Sequence, residues 1–322
     1  MKTVPFLAAL ISVLLSSPCF CQGSPPSGFS GTLATGLIFI DNGDNLSPSG
    51  SKKSISTLDS AAPRQLSTIP ILLPELSYRF GGNSKFSWYF NTYAPLEEAG
   101  DFALSTGVGY EHPDCAFFRI GVFYIPFAEV WENPYLLNQA RTETDVSSWG
   151  AHLAIDRILN SKLAVSFAVL SEDVDHDNLA TLFPDLARDG EVYDLSLGYE
   201  LFSDSVFPIR PKLSLRTGEY DGASTSYVKV KTEISGTYVA GRYTFVPSIY
   251  YSYKEHDEKD PVFGSTRSEN GFGVDLAVTY DGLFGIESMG LLGIVGYSRG
   301  EANLTFYDTE SLVCGLGLTY DF

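Results

Sequence analysis

Residues 312–322 read LVCGLGLTYDF, and their alternation decides the fold. Every second side chain from Leu312 to Phe322 is apolar, and the side chains between are small or polar apart from Val313. A period of two sustained over this length indicates a β-strand whose two faces meet different environments. The final Phe322 is also typical of the C-terminal signal that barrel-assembly machinery recognises, so we expect that machinery as a partner.

The same alternation recurs along the chain. It is clear in residues 148–156, 194–201 and 271–280, where apolar side chains oppose small, polar or charged ones. Each such segment is long enough to cross an apolar layer of about 25 Å when tilted. We predict fourteen strands, near residues 28–40, 69–80, 85–94, 102–111, 115–127, 144–157, 161–172, 191–202, 207–220, 224–239, 242–255, 269–281, 288–299 and 307–322.

The lengths of the connections indicate the topology. Even-numbered connections such as 203–205 and 240–242 are short. Several odd-numbered connections are long, namely 41–67, 132–142, 173–190 and 256–268. This arrangement predicts an all-β fold, a transmembrane antiparallel up-and-down β-barrel with short periplasmic turns and longer external loops. Twelve or sixteen strands remain alternatives, as does a soluble periplasmic β-sandwich.

Residues 1–21 are predicted to be a secretory signal peptide. An apolar run from Val4 to Leu15 is too short to span a bilayer, and small residues follow it. Cleavage is expected after residue 21 or, alternatively, after residue 23, and a lipoprotein acylated at a cysteine is a less favoured alternative. Residues 22–322 would then form a barrel exported to the bacterial outer membrane, in contact with its lipid and lipopolysaccharide.

The net charge limits the possible binding partners, and the cysteine content limits the possible disulfides. The formal net charge of −18 excludes nucleic acid, whose phosphates require a basic footprint. Beyond the signal peptide only Cys115 and Cys314 remain. Their strand positions place them on opposite faces of the sheet, so we expect no disulfide.

Several strings of loop and strand-end residues resemble one family. They are Gly28-Phe29-Ser30-Gly31, Tyr78-Arg79-Phe80-Gly81, Trp131-Glu132-Asn133-Pro134-Tyr135 with Arg141, Thr144 and Asp145, Asp173-Val174-Asp175, Arg188-Asp189-Gly190, Phe263-Gly264 with Thr266-Arg267, and Asn303 with Phe306-Tyr307-Asp308. Together they run the length of the mature chain, which resembles the uncharacterised outer-membrane proteins catalogued as domain of unknown function 2860. The resemblance implies an outer-membrane barrel without an established activity, so no functional residue is carried over.

The inward faces of the predicted strands carry charged side chains. Charge at these depths is tolerable only toward water or a partner charge, and a ring of fourteen strands is too wide for side chains alone to fill. The predicted lumen-lining residues are Arg79, Arg119, Arg210, Lys212, Arg216, Lys229, Lys231, Glu200, Glu233 and Asp275, and they share this face with Glu75, Glu111, Asp156 and Asp194. The basic residues either bias a pore toward anions or zwitterions, or pair with lumen acids to rigidify the wall.

No pattern in the sequence predicts an enzyme. His152 faces inward, which does not suit a lipid hydrolase on the outer wall. The acid and histidine residues at 175–177 and 255–257 match the residue types of a rim protease, but we interpret them as solvated loops. Nucleotide, redox and zinc motifs are absent, so no cofactor or metal is expected.

The function predicted from these features is a porin-like channel or transporter for small polar solutes. The alternative is a non-conducting receptor, adhesin or envelope-structural barrel that acts through its external loops. A transporter of hydrophobic solutes is a third option, although few residues precede Gly28 to form a plug. The apolar runs 135–137 and 179–186 are expected to pack at the rim or to fold inward as a constriction.

Overall fold

Fifteen β-segments form the barrel in the computed structural model, which describes residues 28–81, 85–92, 103–112 and 116–322. The segments are β1 (Gly28–Gly43), β2 (Gln65–Arg79), β3 (Phe86–Asn91), β4 (Leu104–His112), β5 (Ala116–Trp131), β6 (Glu143–Asp156), β7 (Leu163–Val174), β8 (Gly190–Tyr199), β9 (Ile209–Tyr220), β10 (Tyr227–Gly236), β11 (Tyr238–Ala240), β12 (Tyr243–Lys259), β13 (Thr266–Asp281), β14 (Met289–Ala302) and β15 (Thr309–Asp321). Because β10 and β11 both pair with β12 and only Thr237 separates them, they are two pieces of one strand.

Antiparallel pairing closes these strands into a ring. Each strand pairs with the next along the chain, and β1 pairs with β15 from Thr32 opposite Asp321 to Gly43 opposite Glu310. At the seam, the backbones of Gly31 and Phe322 exchange two hydrogen bonds of 2.9 and 3.0 Å. The predicted fold is therefore confirmed as a closed 14-strand antiparallel barrel.

The strands extend further than predicted at the end that carries the long connections. β1 continues to Gly43, β5 to Trp131 and β12 to Lys259. The alternation in the sequence predicts that these strands end at residues 40, 127 and 255. The apolar period stops where the outer face ceases to be apolar, but the hydrogen-bonded ladder continues above that level. We call this end the long-loop end and the opposite end the turn end.

A β-bulge explains why the end of β5 was predicted too early. The register between β5 and β6 shifts between Ile125 and Ala128. Pro126 has no N–H to donate to the ladder, and Phe127 adopts a φ of 74° in the left-handed region. The alternation breaks at this point, and the strand resumes for four residues beyond it, 128–131.

The two faces of the sheet differ in character as predicted. On the outer face Leu195 is 50% exposed and Leu213 is 48% exposed, whereas the inward Ser196 and Ser214 are 3% and 7% exposed. The inner face also has apolar parts, which the alternation did not predict. One cluster comprises Ala34, Ile38, Ile40, Leu73, Ala277, Leu292, Ile294 and Val313, and a second comprises Ala103, Phe123, Ile125, Ala168, Leu170 and Val192.

Glycines on the inner face allow aromatic side chains to lie flat along the wall. Gly107 and Gly121 are paired in register, and a Cβ on either would approach the Tyr89 hydroxyl to 2.4 or 2.3 Å. The Tyr89 hydroxyl therefore crosses both glycines and reaches Nε2 of His152 at 2.8 Å. This confirms that His152 faces inward.

Helical structure is confined to short segments. Helix α1 (Asn178–Leu182) and the 3₁₀ turn Pro184–Leu186 follow β7, so the second apolar run forms short helices at the rim. In the part of the chain that the structure describes, no helix is long and apolar enough to cross a bilayer. The predicted signal peptide and Cys115 lie outside the described residues, and Cys314 is exposed with a free thiol.

Candidate functional site: the charged inner wall and the long-loop mouth

Seven of the ten predicted lumen residues lie together on the inner wall formed by β8, β9 and β10, or just beyond the end of β8. Register places Lys229 opposite Arg216, and Glu233 opposite Lys212. Their outward neighbours Leu215 and Val230 are exposed apolar side chains, so the charged set occupies the opposite face. The seven are Glu200, Arg210, Lys212, Arg216, Lys229, Lys231 and Glu233.

Acids accompany most of these cations. Arg210 lies 2.8 Å from Glu200, and Lys231 lies 3.1 Å from Glu233 while also stacking 4.1 Å from the Tyr250 ring centroid. A third ion pair joins Arg216 to Asp194 at 3.1 Å, and both side chains are only 7% exposed. Such pairs fix the wall geometry more surely than they add stability, because each charge loses hydration on burial.

Lys212 differs from its neighbours because its side chain is exposed on this wall. A small niche on this wall is lined by Asp194, Ser214, Arg216, Lys229 and Lys231. The wall thus contains ion pairs that fix its geometry, one of the two roles that the sequence left open, and a bias of the lumen toward anions stays a prediction.

The other three predicted residues lie apart from this group. Arg79 on β2 pairs with Glu111 at 3.0 Å, and Arg119 on β5 pairs with Asp156 at 2.8 Å. Asp275 on β13 accepts a hydrogen bond from the Ser248 hydroxyl at 3.2 Å. They are therefore spread around the ring and do not extend the basic wall. Whether any of the ten residues lines a conducting path stays a prediction.

A buried arginine organises the long-loop end. Arg141 is fully buried, and its guanidinium stacks 4.4 Å from the Trp131 ring centroid. It donates to the carbonyl oxygens of Asn45 (2.9 Å) and Pro134 (3.1 Å), to the Ser51 hydroxyl (2.8 Å) and to the carbonyl oxygen of Lys52. Burial lowers the pKa of Arg141 to about 10. We call residues 44–51, which this arginine holds in place, the loop 1 lid.

Four aromatic rings pack beside the lid. The ring centroids of Tyr135, Phe263, Phe306 and Tyr307 lie 5.2 to 6.0 Å apart in five pairs. The lid joins this cluster because Asn45 Nδ2 donates to the carbonyl oxygen of Phe306 at 2.9 Å. The rings come from three separate external loops, numbered along the chain: loop 3 (132–142), loop 6 (260–265) and loop 7 (303–308). Their packing therefore ties these three loops to loop 1. Tyr135 thus packs at the mouth, the outcome that the sequence favoured for its apolar run.

A chain of hydroxyl groups runs through this cluster. The Tyr135 and Tyr307 hydroxyls lie 2.6 Å apart, and the Tyr307 hydroxyl donates to the Asp260 carboxylate. Arg267 stacks 4.1 Å from the Tyr307 ring centroid. Burial raises the pKa of Tyr135 to about 12, and burial likewise raises the pKa of Tyr307. Both phenols therefore stay protonated and serve as structural hydrogen-bond donors.

The two histidine-bearing segments are more ordered than the sequence suggested. His256 lies in β12, is 2% exposed and receives hydrogen bonds from Arg267 at 2.6 and 2.8 Å. Asp177 caps α1 and pairs with Arg188 at 2.6 Å. The interpretation of these segments as solvated loops holds for Asp175 and His176, which form an exposed turn. It is wrong for His256 and Asp177, because strand extension buries the first and the ion pair with Arg188 covers the second. The described residues contain no group of three or more acids, histidines or cysteines suited to a metal ion.

A cleft of about 320 Å³ opens between loop 3 and loop 4, the external loop of residues 175–189. Asn178 donates to the Glu132 carboxylate at 2.5 Å across it. Its lining residues are Glu132, Asn133, Leu136, Thr142, Asn178, Thr181 and Leu182.

Sequence reasoning missed the mouth as a site, although it singled out the residues. The strings that carry the family resemblance supply Trp131, Tyr135, Arg141, Arg267 and Tyr307, and all five meet at the mouth. Their loop positions gave no periodicity to interpret. The available signal was the presence of aromatic and arginine side chains in segments otherwise rich in serine and acid.

Comparison with solved structures finds outer-membrane barrels at low identity. OmpTdeltaL8, a loop deletion mutant of an outer membrane protein of Vibrio cholerae, is 13% identical, with a TM-score of 0.45, covering 91% of this chain and 98% of that one. A Pseudomonas aeruginosa FadL homologue is 14% identical with a TM-score of 0.45, covering 92% and 90%. An anion-selective porin from Comamonas acidovorans is 8% identical with a TM-score of 0.43, covering 91% and 98%.

Comparison with curated proteins finds no match. The family model described as "Protein of unknown function (DUF2860)" matches residues 28–321, the whole barrel from the first residue of β1 to the last of β15. The chain belongs to the DUF2860 family.

Proposed function

We propose that this chain is an outer-membrane channel for small polar solutes, with the charged wall of β8–β10 along the path. The observation that carries the proposal is the pairing of faces: exposed apolar side chains outside a closed ring and charged side chains inside it. Closed barrels satisfy every backbone group within a bilayer, and charge on the inner face requires water or a partner charge.

The proposal fixes the orientation and the surroundings of the barrel. The turn end faces the periplasm, where Phe322 meets the assembly machinery, and the long-loop end faces outward beside lipopolysaccharide. Residues 1–21 direct export and are removed. The protein acts without catalysis, since the buried tyrosines and histidine of the mouth are occupied by structural hydrogen bonds.

Single-channel recording in planar bilayers tests the proposal. Purified protein should conduct, and neutralising the exposed wall cation with Lys212→Gln should shift the reversal potential toward cation preference. Arg299→Gln provides the control, because this exposed arginine pairs with Glu301 near the long-loop end of β14, away from the basic wall. Zero conductance from the wild type and from the lid variant Arg141→Ala alike would defeat the channel.

The rigid mouth favours a second candidate, a receptor that acts through its external loops. The cleft between loops 3 and 4 offers a carboxylate, two threonine hydroxyls and two leucines to a ligand. A receptor would retain its ligand binding when the wall cations are neutralised and would lose binding in Thr181→Leu. The ion selectivity of a channel, by contrast, would change when the wall cations are neutralised and would stay the same in Thr181→Leu.

A further inference from the structure

Three polar side chains form a row across three neighbouring strands beneath the loop 1 lid. Asn42 of β1 is in register with Gln65 of β2 on one side and with Ser311 of β15 on the other. All three lie on the inner face, since Asn42 follows the inward Ile38 and Ile40 by the strand period of two. Adjacent strands are ~4.8 Å apart, so the row spans about 10 Å.

The row lacks the hydrogen bonds that buried polar groups normally make. Asn42 and Ser311 are each 1% exposed. Among the described residues, neither amide atom of Asn42, the Gln65 Nε2 nor the Ser311 hydroxyl has a hydrogen-bond partner. Buried polar side chains in native proteins are nearly always paired, and a missing partner costs ~1–3 kcal/mol. Three such groups in one register row therefore indicate a partner outside the folded chain.

The lid covers the row without bonding to it. Gly50 passes so close that a Cβ there would lie 2.7 Å from Asn42 Nδ2. The polar groups of the lid are engaged elsewhere: Ser51 with Arg141 and Trp131, and Asn45 with Phe306. The lid is thus held by the mouth cluster, and the row beneath it stays available for another ligand.

The row also has a chemical character that selects the ligand. It contains two amides and a hydroxyl and no charge, and along the same register it continues through Ser298 and Gly273 to Tyr250. The Tyr250 ring in turn makes a cation–π contact with Lys231 of the basic wall. The register thus connects the uncharged row, through Ser298 and across Gly273, to the charged part of the lumen.

We propose that Gln65, Asn42 and Ser311 form a binding site for an uncharged, hydroxyl-rich solute, which enters when the loop 1 lid lifts. This inference rests on the proposed channel function and names the class of solute. An amide both donates to and accepts from hydroxyl groups, and the length of the row suits a solute of two sugar rings. Charged solutes gain no ion pair from it.

Calorimetric titration of the detergent-solubilised full-length protein with maltose tests the site, with citrate as a charged comparison. We expect maltose to bind to the wild type or to the lid variant Arg141→Ala, and citrate not to displace it. Asn42→Leu and Ser311→Ala, made in whichever of these two proteins binds maltose, should each weaken the binding by about tenfold, which corresponds to the loss of about one hydrogen bond. Thr232→Leu, on the exposed outer face of β10, is the matched control and should bind like its parent.

The outcomes separate this inference from the channel itself. Unchanged maltose binding in Asn42→Leu, or no maltose binding to either the wild type or Arg141→Ala, would overturn the site. The thermal midpoint of Asn42→Leu adds a second readout: it should equal or exceed that of the wild type, because the variant removes an unpartnered amide. A large fall in this midpoint would mean that the amide already has its partners, and would also overturn the site. Bilayer conductance measured alongside tests the channel separately from the row.

Discussion

At the scale of single residues, Arg141 joins the loop 1 lid to the rest of the mouth through four hydrogen bonds and the contact with the Trp131 ring. It donates to three carbonyl oxygens and one hydroxyl, so its loss leaves several buried acceptors without a donor. Each unsatisfied group costs ~1–3 kcal/mol, which the lid can avoid only by opening to water. The guanidinium therefore holds the lid together with the Trp131–Ser51 and Asn45–Phe306 hydrogen bonds.

We expect Arg141→Ala to release the lid while the barrel stays folded. Trypsin cleavage after the exposed Lys52 and Lys53 should become at least ~30-fold faster, equivalent to roughly 2 kcal/mol of easier local opening. Mass spectrometry of the fragments gives the rate, with Arg299→Ala as the exposed control. Equal cleavage rates in the wild type and Arg141→Ala would show that the arginine does not hold the lid.

The first residue of the lid makes its closure dependent on pH. Burial raises the pKa of Asp44, Glu269 raises it further, and Lys254, Arg267 and the Leu46 N–H lower it. A carboxyl whose folded pKa is raised stabilises the closed lid fully below its ordinary pKa. That contribution is lost as pH rises through the raised pKa.

Acidification should therefore tighten the lid. Hydrogen exchange of residues 44–51, corrected for intrinsic rates, should slow as pH falls from about 7 toward about 4. In Asp44→Asn the amide keeps the bond from the Leu46 N–H but does not titrate, so this pH dependence should disappear. Faster exchange at acid pH in the wild type would reverse the assigned sign.

At the scale of elements, the strands were predictable and the mouth was not. A strand between an apolar and a polar medium must alternate, and residues 194–201 show this without knowledge of any partner. The meeting of Trp131, Arg141 and Tyr307 depends on how three loops pack, and no local period encodes that packing. Lumen residues such as Arg216 were placed on the correct face, but their ion pairs required the register.

The glycine pair of β4 and β5 offers a test at this scale. In Gly121→Ala the new Cβ would lie 2.3 Å from the Tyr89 hydroxyl, so the ring must move and release His152. We expect a loss of ~1–3 kcal/mol in the free energy of unfolding, measured by urea denaturation in lipid vesicles.

The double variant and a second glycine complete this test. Tyr89→Ala combined with Gly121→Ala should destabilise by less than the sum of the single variants, because the clash with the Tyr89 hydroxyl requires both side chains. The contact of the new Cβ with the Thr106 carbonyl oxygen at 2.6 Å remains in the double variant. Gly198→Ala is the control, since the nearest atom to its Cβ would be 3.9 Å away. Additive losses would show that the flat ring does not need the glycine.

At the scale of the whole molecule, one closed barrel separates lipid from water, so adjacent residues of a strand face different solvents. Leu213 and Lys212 are adjacent on β9 and face opposite sides. We expect Leu213→Lys to destabilise the folded barrel in lipid vesicles by ~2–4 kcal/mol, as a charge on the lipid face does near the bilayer midplane. Lys212→Gln should change the unfolding free energy by under about 0.5 kcal/mol, as surface changes usually do. Similar losses from both substitutions would contradict the assignment of the faces.

The seam between β1 and β15 has a consequence for how the molecule is assembled. Its partners Thr32 and Asp321 are 289 positions apart, although their side chains are hydrogen-bonded at 2.6 Å. Contacts so distant along a polypeptide must wait until synthesis is nearly finished, so the circle closes late. Once closed, it has no privileged starting point: a circular permutant joined across this seam and reopened at Gly241 would preserve every rung of the ladder.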